Sequence, residues 1–162
     1  RAVVRSRGLG DVYKRQPFVG PGTYPDADFI ELVVNASSKL GIDIKDATRK
    51  FGIFCFPKLA GSHPEFVQGH THPKTFIQSV DGIIHVEVFK LYPGSKLPSF
   101  EYGDSENSLT IEYTSERKLC HFMEGLIEGC GDYFKQPIQQ RQSKCYHNGD
   151  DHCLFHLSLI HI

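Results

Sequence analysis

The sequence has no uninterrupted apolar run near the roughly 20 residues that a membrane-crossing helix needs, so a spanning segment is not expected. It has no internal repeat and no low-complexity stretch, which removes solenoids and disordered tails. It also lacks a surplus of either charge: 18 Lys and Arg stand against 19 Asp and Glu, a net of −1. Residues 1–16 carry five basic side chains (Arg1, Arg5, Arg7, Lys14, Arg15) and one acid (Asp11), a net of +4, so the remainder carries −5. An acidic body without a basic stripe argues against nucleic-acid binding, where clustered Lys and Arg neutralise phosphates. Gly8-Leu-Gly10 has no preceding strand and no third glycine in register, so it is not a nucleotide loop. No signal peptide is present, and with five cysteines this predicts reduced thiols and a cytoplasmic location. What is present is an ordinary globular composition, 40% hydrophobic and 23% charged, over 162 residues, enough for one domain with a real core. Nine His exceed what packing requires, and with the cysteines they make metal or cofactor binding the first question.

Both ends read as foreign to the fold. Residues 1–16 and 158–162 resemble translated sequencing-adapter sequence and are set apart, leaving 17–157 as the predicted domain. Residues 17–23 read as Pro/Gly-rich coil. A helix follows Asp26, with Phe29, Leu32, Val33, Ala36 and Leu40 at helical spacing, and Gly41 stops it. Asp43 opens a second helix whose apolar stripe is Ala47, Phe51, Phe54, Cys55 and Leu59; Pro57 is expected to kink it near its end. Residues 61–72 read as a loop with one helical turn around 64–67. A third helix starts at Pro73 and carries Phe76, Val80, Ile83, Ile84, Val88 and Leu91 on one stripe up to Tyr92-Pro93-Gly94. The period then changes to alternation, predicting strands at 99–102 and 109–114. Residues 116–134 form the most regular helix, with Leu119, Phe122, Met123, Leu126, Ile127, Cys130 and Phe134 on one face. Strands at about 138–146 and 153–157 follow, joined by a hairpin turn at Asn148-Gly149. The expected class is α+β: N-terminal helices packed on a C-terminal antiparallel sheet with one long inserted helix.

Three constellations carry chemistry. His85 lies beside the third helix's apolar stripe, one turn after Asp81; its imidazole could reach a metal across an apolar cavity, or be a satisfied structural residue. Tyr113, Ser115 and Arg117 alternate at a strand–helix junction. A phenol, a hydroxyl and a forked guanidinium there would hold carboxylates, aided by the free N–H groups of a helix start. The same residues also read as an N-cap and a surface charge. The third is Cys145, His147, His152 and Cys153, with Cys130 on the long helix. These could supply tetrahedral zinc ligands, although the spacing fits no standard zinc motif, and a disulfide is open in an oxidising compartment.

Taken together, Ser79-Val-Asp-Gly-Ile-Ile-His85-Val-Glu-Val-Phe-Lys-Leu-Tyr-Pro93, Leu97-Pro98, Tyr113-Thr-Ser-Glu-Arg117 and Gly125-Leu-Ile-Glu-Gly129 resemble the haem–nitric oxide/oxygen binding domain (H-NOX, or HNOB) from about Tyr24 to Leu157. The resemblance implies that a haem b is bound, with His85 as the proximal iron ligand and Tyr113, Ser115 and Arg117 on the propionates. Pro98 would press on the porphyrin, and Ile83, Ile84, Leu97, Leu119, Phe122 and Leu126 would form the apolar pocket. It also implies further N-terminal helices before Tyr24, so the chain reads as a truncated bacterial fragment with exposed apolar surface and poor solubility.

Phe122 occupies the place where oxygen-binding members carry a distal Tyr on this helix. Bound O₂ carries partial negative charge and needs a donor more than NO or CO does, so the expectation is a ferrous, five-coordinate haem that binds nitric oxide and CO and excludes O₂. Tyr133 lies about three turns further along the helix. Signalling would follow from breakage of the iron–His bond, relaxation of the haem and a shift of the His85 helix, read by a histidine kinase, a cyclic-di-GMP enzyme or a fused output domain. The family also implies a zinc site near the C-terminus resembling Cys130, Cys145 and Cys153, with Gln142 at its His position and His147 or His152 as replacements. The alternative function is a haem-free zinc/thiol redox module on Cys130, Cys145, His152 and Cys153. A metalloenzyme using His85, Asp81 and Glu87 is a third, weakened because those three do not share one helical face. The domain is expected to be a sensor and not an enzyme.

Overall fold

The computed structural model describes residues 22–159, and the readings above on 1–21 and 160–162 lie outside the described residues. The chain divides into two compact units, Arg1–Leu32 and Val33–Ile162. In the described part of the first, residues 22–25 are coil and Asp28 N–H bonds the Pro25 carbonyl at 3.0 Å as helix α1 (Asp26–Leu40) begins.

The second unit holds the site. After the rest of α1 come α2 (Ile44–Ser62), the single turn α3 (Pro64–Val67), α4 (Pro73–Ser79), a π turn (Val80–Ile84) and α5 (His85–Leu91). Strands β1 (Ser99–Ser105) and β2 (Ser108–Thr114) follow, then α6 (Cys120–Tyr133), β3 (Gln139–Lys144) and β4 (Cys153–Ser158). The sheet is antiparallel throughout, in the order β1-β2-β4-β3. The α+β expectation holds. Ser158 and Leu159, set apart on sequence, end β4 and bury a side chain respectively.

Alternation decides what β2 and β4 bury. Leu109, Ile111 and Tyr113 face inward, opposite Leu157, Phe155 and Cys153. These cross-strand pairs form the sheet's contribution to the core. From the helices come Phe56 and Ala60 of α2, Phe76 and Ile77 of α4, and Ile127 and Cys130 of α6. Asp43 caps α2 by accepting the Lys45 N–H at 2.7 Å.

The buried face of α2 differs from the stripe predicted for it. Ala47, Thr48, Gly52, Phe56 and Ala60 are buried, whereas Phe51, Phe54 and Leu59 are exposed. The cause is the seam with α6. A Cβ on Gly52 would strike the Phe122 carbonyl, one on Gly125 would strike the Arg49 carbonyl, and one on Gly129 would lie 2.8 Å from Phe56 Cβ. The helices therefore meet backbone to backbone, along their small residues. Pro57 lies inside α2, which continues to Ser62; the Ile53 carbonyl, which Pro57 cannot bond, faces the open side of Gly129. Arg49 and Glu128 close the seam's edge with a forked ion pair, Nη2–Oε2 2.5 Å.

Two further expectations shift. The long helix starts at Cys120, not 116, because the Ser115 hydroxyl accepts the Arg117 N–H in a tight turn and Lys118 takes a left-handed φ of 50°. The Asn148-Gly149 signal marks no tight hairpin. It ends a 3₁₀ turn (Tyr146–Asn148) with Gly149 at φ 95°, pinned by Cys145 N–H on the Asp150 carboxylate at 2.7 Å. We predict opposite signs for two glycine replacements: Gly125→Ala should cost about 1–3 kcal/mol by overpacking. Gly61→Ala, with nothing within 4 Å, should gain about 0.4–1 kcal/mol. Chemical denaturation midpoints measure both, and equal effects would contradict the close seam.

Candidate functional site

The helix carrying His85 changes pitch one turn before it. Through Val80–Ile84 it is a π turn, closed by the His85 N–H on the Val80 carbonyl. Such turns are rare and recur at functional positions. His85 is 16% exposed, its Nδ1 lies 3.2 Å from the Asp81 carboxylate, and its ring packs against Phe100 with centroids 5.2 Å apart. An imidazole engaged at Nδ1 offers Nε2 to a metal. Glu87, the other acid weighed as a partner of His85, is instead paired with Lys90 at 2.6 Å.

His85 borders a cavity of about 510 Å³. Tyr113, Ser115, Arg117, Pro98, Ile84, Leu97, Leu119, Phe122 and Leu126 line the same cavity, so residues spread over 42 positions of sequence separation converge on one space. Ile83 does not. It is 56% exposed, because the turn that aims Ile84 and His85 inward leaves its neighbour facing out. Tyr133, the alternative hydroxyl on α6, is absent from the lining and packs edge-on against Phe56 and Phe134.

The polar corner is built where β2 ends. The Tyr113 ring is buried between Phe100 and Phe155, and burial pushes its phenol pKa up. Ser115 is buried; its N–H donates to the Tyr146 hydroxyl at 3.2 Å and its hydroxyl accepts from Arg117 N–H at 3.2 Å. Since α6 begins only at Cys120, no helix N-terminus stands at this corner, and its capacity for an anion rests on the phenol, the hydroxyl and the exposed Arg117 guanidinium. Elsewhere the lining is almost entirely hydrocarbon, from Phe56, Val67, Phe76, Val88, Met123 and Ile127 among others. A mostly apolar space bordered by an imidazole and by one corner of phenol, hydroxyl and guanidinium fits a flat apolar prosthetic group bearing an iron and acid groups.

The sequence reading missed Phe100, Met123, Cys130 and Lys96 as cavity residues, and His63. His63 is half exposed with Nδ1 3.3 Å from Glu65. Only Met123 and Cys130 carried a signal, by sharing the face of Leu119 and Leu126; the rest reach the cavity through tertiary packing.

The thiol cluster is also redrawn. Among the described residues, the one group of three or more His, Cys, Asp or Glu ligand atoms within 4.8 Å of each other is Cys120, Cys145 and Cys153. All three are buried, and Cys145 Sγ lies 3.8 Å from Cys120 Sγ. Burial pushes the Cys120 and Cys153 thiols up. Cys130 is not a member: it lies more than two turns along α6 from Cys120 and borders the cavity. His152 is not a member either, its Nδ1 being held 2.6 Å from Asp151. The expected set of Cys130, Cys145, His152 and Cys153 is thus corrected. Three thiols without a fourth ligand do not complete a structural zinc site.

Comparison with known proteins agrees with this geometry. A family model described as haem-NO-binding (HNOB) matches residues 11–142, most of the chain. An H-NOX protein from S. oneidensis, solved in its Fe(II)NO ligation state, is 30% identical with a TM-score of 0.86 over 91% of this chain and 83% of that one. The H-NOX domain from Shewanella oneidensis in the Fe(II)CO state is 29% identical, TM-score 0.84, over 94% and 87%. The unliganded Fe(II) H-NOX protein from K. algicida is 27% identical, TM-score 0.78, over 87% and 76%. With the match spanning well over half its length, the chain belongs to the haem-NO-binding (HNOB, or H-NOX) family of haem-based gas sensor domains.

Proposed function

We propose that this chain is a nitric oxide sensor domain in which His85 is the proximal ligand of a haem b, Tyr113, Ser115 and Arg117 hold its propionates, and the pocket admits NO and CO but not O₂. The observation that carries this reading is the single cavity onto which His85, the Tyr113–Ser115–Arg117 corner and Phe122 all open. The sequence contains no Cys-x-x-Cys-His run for covalent attachment, which favours the b type. Bound haem supplies a ferrous iron with an axial position open to a diatomic gas.

The chain's own residues set what that position accepts. Ile84, Leu97, Leu119 and Leu126 exclude water. Phe122, its ring 5.6 Å from that of Phe51, gives the pocket hydrocarbon where a donor would favour the partial charge of dioxygen. NO and CO need no such donor. Were NO to loosen the hold of His85, the π turn with α5 would be free to shift against β1, and the contact made by Pro98 would ease. A partner that distinguishes the two positions reads the signal. A histidine kinase, a cyclic-di-GMP enzyme or a fused output domain would serve, with residues 17–157 as the sensing unit. The five free cysteines favour a reducing, cytoplasmic setting. The haem-free zinc/thiol module is not favoured, since among the described residues its thiol cluster gathers three ligands, while His85 and the polar corner share one cavity.

Ferrous absorption spectra of the haem-loaded protein test this. NO and CO should each shift the main band and air should not; reversible O₂ uptake by the unmodified chain would overturn the exclusion. Phe122→Tyr should raise O₂ affinity roughly 10–100-fold, the worth of one hydrogen bond to a charged acceptor. Arg117→Ala should weaken haem retention by a similar factor, read by haem transfer to an apo-globin acceptor. Unchanged retention would remove Arg117 from the propionate site.

A further inference from the structure

The π turn before His85 has an identifiable cause on the neighbouring strand. In a continuous α-helix the Asp81 N–H would bond the Ile77 carbonyl, four residues back. Here the Tyr102 hydroxyl, from β1, donates to the Ile77 carbonyl at 2.8 Å and lies close to Asp81. The phenol thus occupies the carbonyl half of that helical bond, and the Ile77 carbonyl also accepts a short-range bond from Val80 N–H. A side chain inserted into the helical ladder is one of the few recognised causes of such a distortion. The wedge is half-buried and comes from a strand whose register is fixed by pairing, Tyr102 opposite Ile111, itself fully buried. Just past the wedge, Asp81 turns its carboxylate to Nδ1 of His85, while Phe100, two residues before Tyr102 on the same strand, covers the imidazole face.

Building on the reading of His85 as the iron ligand, we infer that Tyr102 and Asp81 are positioning residues for it. Tyr102 holds the π turn open, and Asp81 accepts the Nδ1 proton of His85 and so sets how strongly Nε2 grips iron and how readily NO displaces it. The physical reason is electrostatic. A carboxylate accepting from Nδ1–H gives the imidazole partial anionic character and makes Nε2 a stronger donor; an outer partner of this kind also fixes the tautomer and the plane of the ring. The wedge matters because it determines where Asp81 sits. Without its polar atom, the Ile77 carbonyl and the Asp81 N–H are free to rejoin, the turn tightens to α-helical pitch, and the carboxylate moves relative to the ring. Both residues therefore act through His85 and touch neither the gas nor the propionates.

The test uses the haem-loaded protein with Asp81→Asn, which keeps an acceptor without the charge, Asp81→Ala, which removes both, and Tyr102→Phe, which keeps the ring and loses the wedge. The readouts are the ferrous iron–histidine stretching frequency and the rate at which NO displaces His85. Each variant should lower the frequency and speed displacement. Asp81→Ala should speed displacement roughly tenfold or more, Asp81→Asn by less, and Tyr102→Phe in the same direction. A purely structural role would reduce the folded fraction without moving the frequency of the protein that remains folded. If His85→Gly abolishes the stretch but Asp81→Ala and Tyr102→Phe leave frequency and rate at their original values, this inference is overturned and the ligand assignment stands. If the stretch survives His85→Gly, the ligand assignment fails and the inference falls with it.

Discussion

An imidazole can bind a metal through one nitrogen only if something else satisfies the other, and in this chain that condition organises the site. His85 faces a cavity whose walls are nearly all hydrocarbon. Left there with two unsatisfied nitrogens it would be a buried polar group without partners, a costly arrangement. Asp81 meets the need at Nδ1, and Phe100 covers the ring face. The helix departs from α geometry one turn before His85, where Tyr102 of β1 donates its hydroxyl to the Ile77 carbonyl.

The remainder of the fold serves to keep the cavity open and its corner fixed. The glycine seam brings α2 and α6 together backbone to backbone, so that Phe56, Phe122 and Leu126 project into the space rather than filling the joint. The β2–β4 pairing sets Tyr113 beside Cys153, which couples the polar corner to the buried thiols of Cys120 and Cys145. Burial pushes the Cys120 and Cys153 thiols up, which favours their protonated, less nucleophilic form. The exposed apolar side chains of α2, Phe54 among them, are a consequence of the same seam: the helix buries its small side and leaves large residues exposed.

Much of this was legible in the sequence because it depends on local periodicity. The alternation of β2, the caps at Asp43 and Pro73, the helical spacing from Phe76 to Leu91 and the Tyr113-x-Ser115-x-Arg117 element all act over a few residues. They placed most of the elements, and the residues they singled out other than Ile83 border one cavity. What was not legible depends on partners far along the chain. Gly52 and Gly125 reverse the buried face of α2 only because they meet one another. Cys120, and not Cys130, joins the thiol cluster because Cys120 stands at the start of α6 while Cys130 lies more than two turns along it. The π turn has no signature in residues 80–84; its cause lies at Tyr102. Ile83 and Ile84 look alike in sequence, and only that turn separates them into an outward and an inward residue.

The most direct measurement is a crystal structure of the haem-loaded ferrous protein. The account predicts iron bound by Nε2 of His85 with Nδ1 still on Asp81, and both propionates within hydrogen-bond reach of Tyr113, Ser115 and Arg117. Iron bound by His63 instead, or propionates directed away from that corner, would contradict it.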